Sequence, residues 1–292
     1  MTSERLRLTF VFLLCASVSL WPLDTKAIDQ ALGRRGTMFG DVYKIAAPRT
    51  DLRVRVDGVE VKPGMALGSW IAFRDHAGGT GVHGDLCLLE SEVNPVASKL
   101  EELGLEVTSL HNHLMHAQPN VMFMHFWGHG DAAKLAAAMK AALALTATPF
   151  PTEGAAAPAP EPVRGQDVIE KALGRKGNQN RGVLQFSIAR REKITMHGME
   201  MPPAMGMATA INFINAPKGV AATGDYVMTE GEVDRVIRAL RAAHIEITAL
   251  HNHMVQDNPR LVFLHFWAHG DPETVARGLR SALDQTGVVA PQ

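Results

Sequence analysis

Apolar and polar positions alternate with period two over much of this chain, and in two similar stretches the apolar face of the alternation runs on into histidines. In the second stretch Ile245, Ile247, Ala249, His251, His253 and Val255 fall on one face of a strand, with Glu246, Thr248, Leu250 and Asn252 on the other. After a turn expected at Gln256-Asp257-Asn258-Pro259, Leu261, Phe263, His265, Trp267 and His269 share one face of a second strand. Val262, Leu264 and Phe266 share its other face. The first stretch carries His111, His113, His125 and His129, so eight of the thirteen histidines sit at matching positions in these two hairpins. A short hairpin loop predicts His251 roughly opposite His265, with Cβ atoms about 5 Å apart.

The remaining pattern predicts, in the second copy, strands Val183 to Ile188, Lys193 to Met199, Met207 to Ile214 and Asp225 to Met228. A helix from Gly231 to Ala243 follows, with Thr229 and Glu232 spaced as a capping box, which makes Glu232 structural. The last helix is expected from Pro272 to about Leu283. Asp271 before Pro272 is an N-cap before a first-turn proline, which makes Asp131 and Asp271 caps rather than ligands.

The whole pattern occurs twice. Ala31-Leu32-Gly33-Arg34-Arg35-Gly36 returns as Ala172-Leu173-Gly174-Arg175-Lys176-Gly177, and Gly84-Asp85 returns as Gly224-Asp225. The sequence therefore predicts an α+β protein of two tandem homologous domains, 28–145 and 167–287. Each is a mostly antiparallel sheet with helices on one face, and the two are related by a pseudo-twofold axis. The Pro/Ala-rich segment 146–166 is the linker.

Composition changes the picture at the N-terminus. Arg5 and Arg7 precede the apolar run Leu8 to Ala16, and Thr25-Lys26-Ala27 is a small-residue cleavage site, so residues 1–27 have the form of a secretory signal peptide. This predicts a periplasmic or secreted protein with no membrane span once the signal is removed. Leu14 before Cys15 fits a lipid anchor poorly. Removal of the signal leaves Cys87 as the sole cysteine, so no intramolecular disulfide is possible. Cys87 aligns with Val227 and reads as a small buried hydrophobe. The formal charge of −1 has no basic excess and gives no argument for a nucleic-acid partner.

Three or four histidines on one face of each hairpin is the donor set that a borderline transition metal, zinc or copper, requires. The expected ligands are His111, His113, His125 and His129 with His251, His253, His265 and His269. Whether each copy holds a site or the two share one is open. His197 with Met199 and Met201 is a weaker, softer set, and packing also explains these methionines. The competing reading is a structural histidine–aromatic cluster. Asp85, Asp225, Glu60 and Glu200 are the repeated acids that could serve a metal-dependent hydrolase as base. The common hydrolase and phosphate-loop signatures are absent. Arg34/Arg175 and Arg49/Arg190 could bind a small anionic ligand, or simply make salt bridges.

Leu-His-Asn-His-Met (250–254), Pro-Arg-Leu-Val-Phe-Leu-His-Phe-Trp-Ala (259–268), Gly-Asp-Tyr-Val-Met-Thr (224–229) and Pro-Pro-Ala-Met-Gly-Met-Ala-Thr-Ala-Ile-Asn-Phe (202–213) resemble the LppY/LpqO lipoprotein family. This is a domain of unknown function, often duplicated in bacterial exported proteins. The resemblance covers nearly all of 28–287 and implies export and duplication, but no activity. Three functions are therefore expected: metal binding through the paired hairpins, metal-dependent hydrolysis in the periplasm, or a binding or assembly module with structural histidines.

Overall fold

A computed structural model describes residues 23–150 and 161–290. Most of the expected signal peptide (1–22) and the middle of the expected linker (151–160) lie outside the described residues. The first half contains α1 (Thr25–Leu32), β1 (Thr37–Phe39), β2 (Val42–Pro48), β3 (Arg55–Val56), β4 (Val59–Glu60), α2 (Pro63–Ala66), β5 (Gly68–His76), β6 (Gly79–Leu89), α3 (Glu90–Glu102), β7 (Glu106–His111), β8 (Val121–Gly130) and α4 (Ala132–Leu143). The second repeats the order with α5 (Gln166–Leu173), β9 (Asn178–Asn180), β10 (Val183–Ala189), β11 (Thr195–Met196), β12 (Met199–Glu200), β13 (Ala208–Ala216), β14 (Gly219–Thr229), α6 (Val233–Ala242), β15 (Glu246–His251), β16 (Asp257–Asn258), β17 (Leu261–Gly270) and α7 (Pro272–Leu283).

Each half builds a six-stranded antiparallel sheet, in the orders β1-β2-β5-β6-β8-β7 and β9-β10-β13-β14-β17-β15. Alternation decides which face the helices cover. In the first half Ile45, Ile71, Phe73, Leu86 and Phe126 point to one face and pack on Ile28, Leu32, Leu100 and Met139 of the helices. The opposite faces of the two sheets pack on each other. Val42, Ala72 and Trp127 of the first half meet Met199, Met201, Val227 and Phe263 of the second. Cys87 and Phe123 share a cluster with Val183, Ala221 and Trp267. The result is four layers, helix–sheet–sheet–helix, and the histidine-bearing faces are the inner ones.

Caps form as the sequence predicts. Asp131 and Asp271 each accept a backbone N–H three residues on, at 2.9 Å. The Thr229 N–H donates to Glu232 Oε2 at 2.8 Å.

Three expectations change. The strand expected over 193–199 is two short strands, β11 and β12, because His197-Gly198 takes positive φ at both residues (48° and 78°) and closes a tight hairpin, as Asp57-Gly58 does (49° and 80°). The pairing of the histidine hairpin is also displaced: His251 lies opposite Phe263, and His265 lies opposite Ala249. A bulge between Ile247 and Ala249 inserts Thr248, so Ile247 pairs with the helix-facing Phe266 while Ala249 points to the inner face; Thr108 plays the same part in the first half. Finally, the repeated arginines are already engaged. Arg49 binds Glu92 at 2.7 Å, Asp51 at 2.9 Å and the Cys87 carbonyl at 2.8 Å, and Arg190 repeats this with Glu232, Glu192 and the Val227 carbonyl. Arg34 donates to the carbonyls of Ala46 and Pro149, and Arg175 to that of Val289. These contacts leave the buried pair, Arg49 and Arg190, with no free fork for an anion. Among the described residues no helix is long and apolar enough to cross a membrane.

Candidate metal centre

The inner faces bring six imidazoles of both halves into one cluster: His111, His113, His125, His251, His253 and His265. The histidines of the two His-Phe-Trp segments (HFW, 125–127 and 265–267) stand on β8 and β17, and their partners across β6 and β14 are Asp85 opposite His125 and Asp225 opposite His265. The His-Asn-His segments (HNH, 111–113 and 251–253) leave the ends of β7 and β15 and cross to the other half. There His111 stacks on His251 (ring centroids 3.7 Å apart), His253 on His125 (3.8 Å) and His113 packs against His265 (4.0 Å). An offset of 140 residues maps His111 onto His251 and each of the other pairs onto its counterpart, so the cluster itself carries the pseudo-twofold axis.

The crossing is fixed by the bulges. Freed from the ladder, Thr108 Oγ1 donates to the His253 carbonyl at 2.7 Å and Thr248 Oγ1 to the His113 carbonyl at 2.6 Å. The HNH asparagines complete the exchange: Asn112 Nδ2 donates to the Thr248 carbonyl at 3.0 Å, and Asn252 Nδ2 to the Thr108 carbonyl at 3.1 Å. Each bulged threonine thus holds the other half's HNH segment in place.

The ring nitrogens carry the chemistry. His125 Nδ1 lies 2.9 Å from the Gly84 carbonyl and His265 Nδ1 lies 2.7 Å from that of Gly224. A carbonyl only accepts, so Nδ1 bears the proton and Nε2 presents a lone pair to the cluster, the same tautomer that a backbone carbonyl fixes in metal-bound histidines. The recurrent Gly-Asp supplies both this carbonyl and the neighbouring carboxylate. Gly84 and Gly224 have no room for a Cβ, which would meet the main chain of Trp70 and Ala210 respectively. The Nε2 atoms of His111, His125, His251, His253 and His265, with Oδ1 of Asp85 and Asp225, are buried and have no hydrogen-bond partner. His253 Nε2 is 3.1 Å from Asp225 Oδ2 without hydrogen-bond geometry, and His113 Nε2 is 3.5 Å from Asp85 Oδ2.

Burial dominates the protonation of these groups. It pushes the Asp85 carboxyl up to about 8, with Lys44 opposing, and raises Asp225 well above the carboxylate range, helped by the nearby Asp85 charge. The same desolvation lowers all six histidines, His265 to about 4. At neutral pH the cluster holds neutral imidazoles, the form that ligates a metal. Three groupings could hold an ion: His111, His125, His251 and His253; Asp225, His251, His253 and His265; and His111, His113 and His265, with donor atoms within 4.8 Å of one another. Donors on one tetrahedral ion are roughly 3.3 Å apart, so the rings would draw in by no more than about 1.5 Å.

The other predicted residues lie apart. His129 and His269 share the face of the ligand set but sit exposed at the ends of their strands. His129 lines a surface cavity of about 310 Å³ with His76, Ala77, Trp127 and His197. Met199 and Met201 are buried in the apolar layer between the sheets, while His197 stacks on Trp127 at the surface. Glu60 is exposed in its short hairpin, and Glu200 faces Lys193 at 3.7 Å.

One residue at the cluster escaped the sequence reading. His83 is fully buried, lies parallel to His125 at 5.5 Å, bonds the Phe126 carbonyl through Nδ1 at 2.9 Å, and leaves Nε2 unpartnered. Its counterpart Thr223 makes the same bond to the Phe266 carbonyl, at 2.7 Å. The available signal was alternation along β6, which puts His83 two residues before Asp85 on the same face.

A family model described as Domain of Unknown Function (DUF1259) matches this chain twice, over residues 26–145 and 167–285. The expected duplication of a domain of unknown function is thereby met. No curated protein matches. Among solved structures the chain is similar to the trimeric bacterial microcompartment shell protein PduB, at 13% identity, covering 86% of this chain and 88% of that one with a TM-score of 0.22. EtuB from Clostridium kluyveri is similar at 12% identity, covering 86% and 89%, also with a TM-score of 0.22. At such TM-scores neither likeness carries an argument about fold or function.

Proposed function

The chain belongs to the family described as Domain of Unknown Function (DUF1259), whose description supplies no activity, and from its histidine cluster we propose that it binds a transition metal, zinc or copper, between its two halves. One observation carries this reading: five imidazole Nε2 atoms and two carboxylate oxygens are buried together without partners. Each unpaired buried polar atom costs about 1–3 kcal/mol, so a purely structural cluster would concentrate a large penalty at one point. A cation converts that penalty into ligand bonds and returns the two aspartates to their ionised form. Imidazole and carboxylate donors, with the thioethers held apart, suit zinc or copper(II) better than copper(I).

Burial of the donors favours holding an ion over presenting it to a substrate, so we favour binding above hydrolysis. We further place the protein outside the bacterial cytoplasm, as a duplicated exported protein of the LppY/LpqO kind, on the signal-like form of residues 1–27. The test is elemental analysis of the chain purified without a histidine tag. At least one equivalent of zinc or copper per chain is expected, as isolated or after reloading. Less than a tenth of an equivalent, unrestored by added metal, refutes the reading.

A further inference from the structure

Six imidazoles and two carboxylates are more donors than one zinc-like ion takes. A single four-coordinate ion would leave at least four of these eight groups buried beside it with lone pairs unused. These eight divide evenly, with His83 outside both sets. His111, His113 and His265 form one of the convergent groupings. Their counterparts at an offset of 140 are His251, His253 and His125, and these three lie together within another of the groupings. The two sets share no residue. Each takes two histidines from one HNH segment and one from the other half's HFW strand. Each set has a carboxylate beside it, with Asp85 3.5 Å from His113 and Asp225 3.1 Å from His253, while Asp85 also stands 3.9 Å from His125 and Asp225 converges with His251, His253 and His265 of its own half.

We propose that the cluster holds two divalent ions per chain, one on each side of the pseudo-twofold axis, each bound by three histidines and one aspartate. This rests on the metal-binding reading above and adds the number of ions, since His265 completes a three-histidine set with either half's HNH pair and His125 with that of the other half. Within each set, imidazole nitrogens and a carboxylate oxygen supply the four positions of a tetrahedral ion. The stacked His111 and His251 separate the two ions at the axis.

The test loads the stripped, untagged full chain with excess Zn²⁺, removes free metal by desalting, and counts zinc per chain. Two equivalents are expected. One equivalent overturns the two-ion assignment and leaves metal binding standing, whereas less than a tenth overturns both. His265→Ala and His125→Ala should each lower the count from two to one, and loss of all zinc in either single variant points to one shared ion. Should either variant not fold, Asp225→Asn keeps the side-chain shape. It is expected to weaken one of the two zinc ions at least tenfold and leave the other at its original affinity, and equal weakening of both overturns the assignment.

Discussion

Replacing Asp85 by asparagine removes one ionisable group from the cluster and keeps its shape, and the structure fixes the size and sign of the effect. In the metal-free chain burial holds this carboxyl at about 8, against an ordinary value of 3.8. Above pH 4 the unfolded chain has released this proton and the folded chain has kept it, so folding takes up a proton. The stability that the raised value confers is therefore fully present below pH 4 and lost as pH rises toward 8. The slope is about 1.4 kcal/mol per pH unit, or on the order of 3 kcal/mol between pH 5 and pH 7. Asp85→Asn lacks this slope and also relieves Asp225 of a neighbouring charge, which flattens its curve further, while the histidines contribute to both proteins and cancel in the comparison. Urea unfolding of the two chelator-treated proteins at pH 5, 6 and 7 should show the original chain losing that amount relative to the variant. With saturating zinc the divergence should collapse, because the ion takes the place of the proton. Parallel metal-free curves for the two proteins would refute the reasoning.

Two further effects follow from the same geometry. Thr248→Val leaves the His113 carbonyl without its donor from the opposite half, which should cost about 1–3 kcal/mol and weaken zinc binding in competition with a chromophoric chelator; Thr108→Val should match it through His253. Glu92→Gln removes one of the two carboxylates paired with the fully buried Arg49, leaving Asp51, and should lower unfolding stability by about 1–3 kcal/mol, measured in urea, with the zinc count unchanged.

Much of the architecture was legible in the sequence because its signals are local and occur twice. The 140-residue offset, the alternation of Leu261 to His269 and the Asp271-Pro272 helix start all reappear in the structure. The register of the histidine hairpin was not legible. A bulge has no period of its own, and Thr248 is an ordinary strand residue until its hydroxyl is seen to reach the other half. Alternation correctly placed His129 and His269 on the inner-facing side, yet carried no information on where the opposing sheet ends, and both histidines lie beyond it. His83 was hidden for a different reason: its counterpart is Thr223, and attention to repeated histidines passes over one present in a single copy. That His253 would lie on His125 rather than on a histidine of its own half is a fact of packing between halves, which no spacing within one half encodes.

The exchange of HNH segments makes each half an incomplete vessel. An isolated half retains four of the eight donors, and the rings that meet His125 and His113 of the first half belong to the other copy. Tethering supplies the missing rings at an effective concentration in the millimolar range, whatever the abundance of the protein. A single-copy ancestor could have built the same centre only as a homodimer, assembling and dissolving with dilution, and fusion of the two copies would have made its metal capacity a property of one molecule.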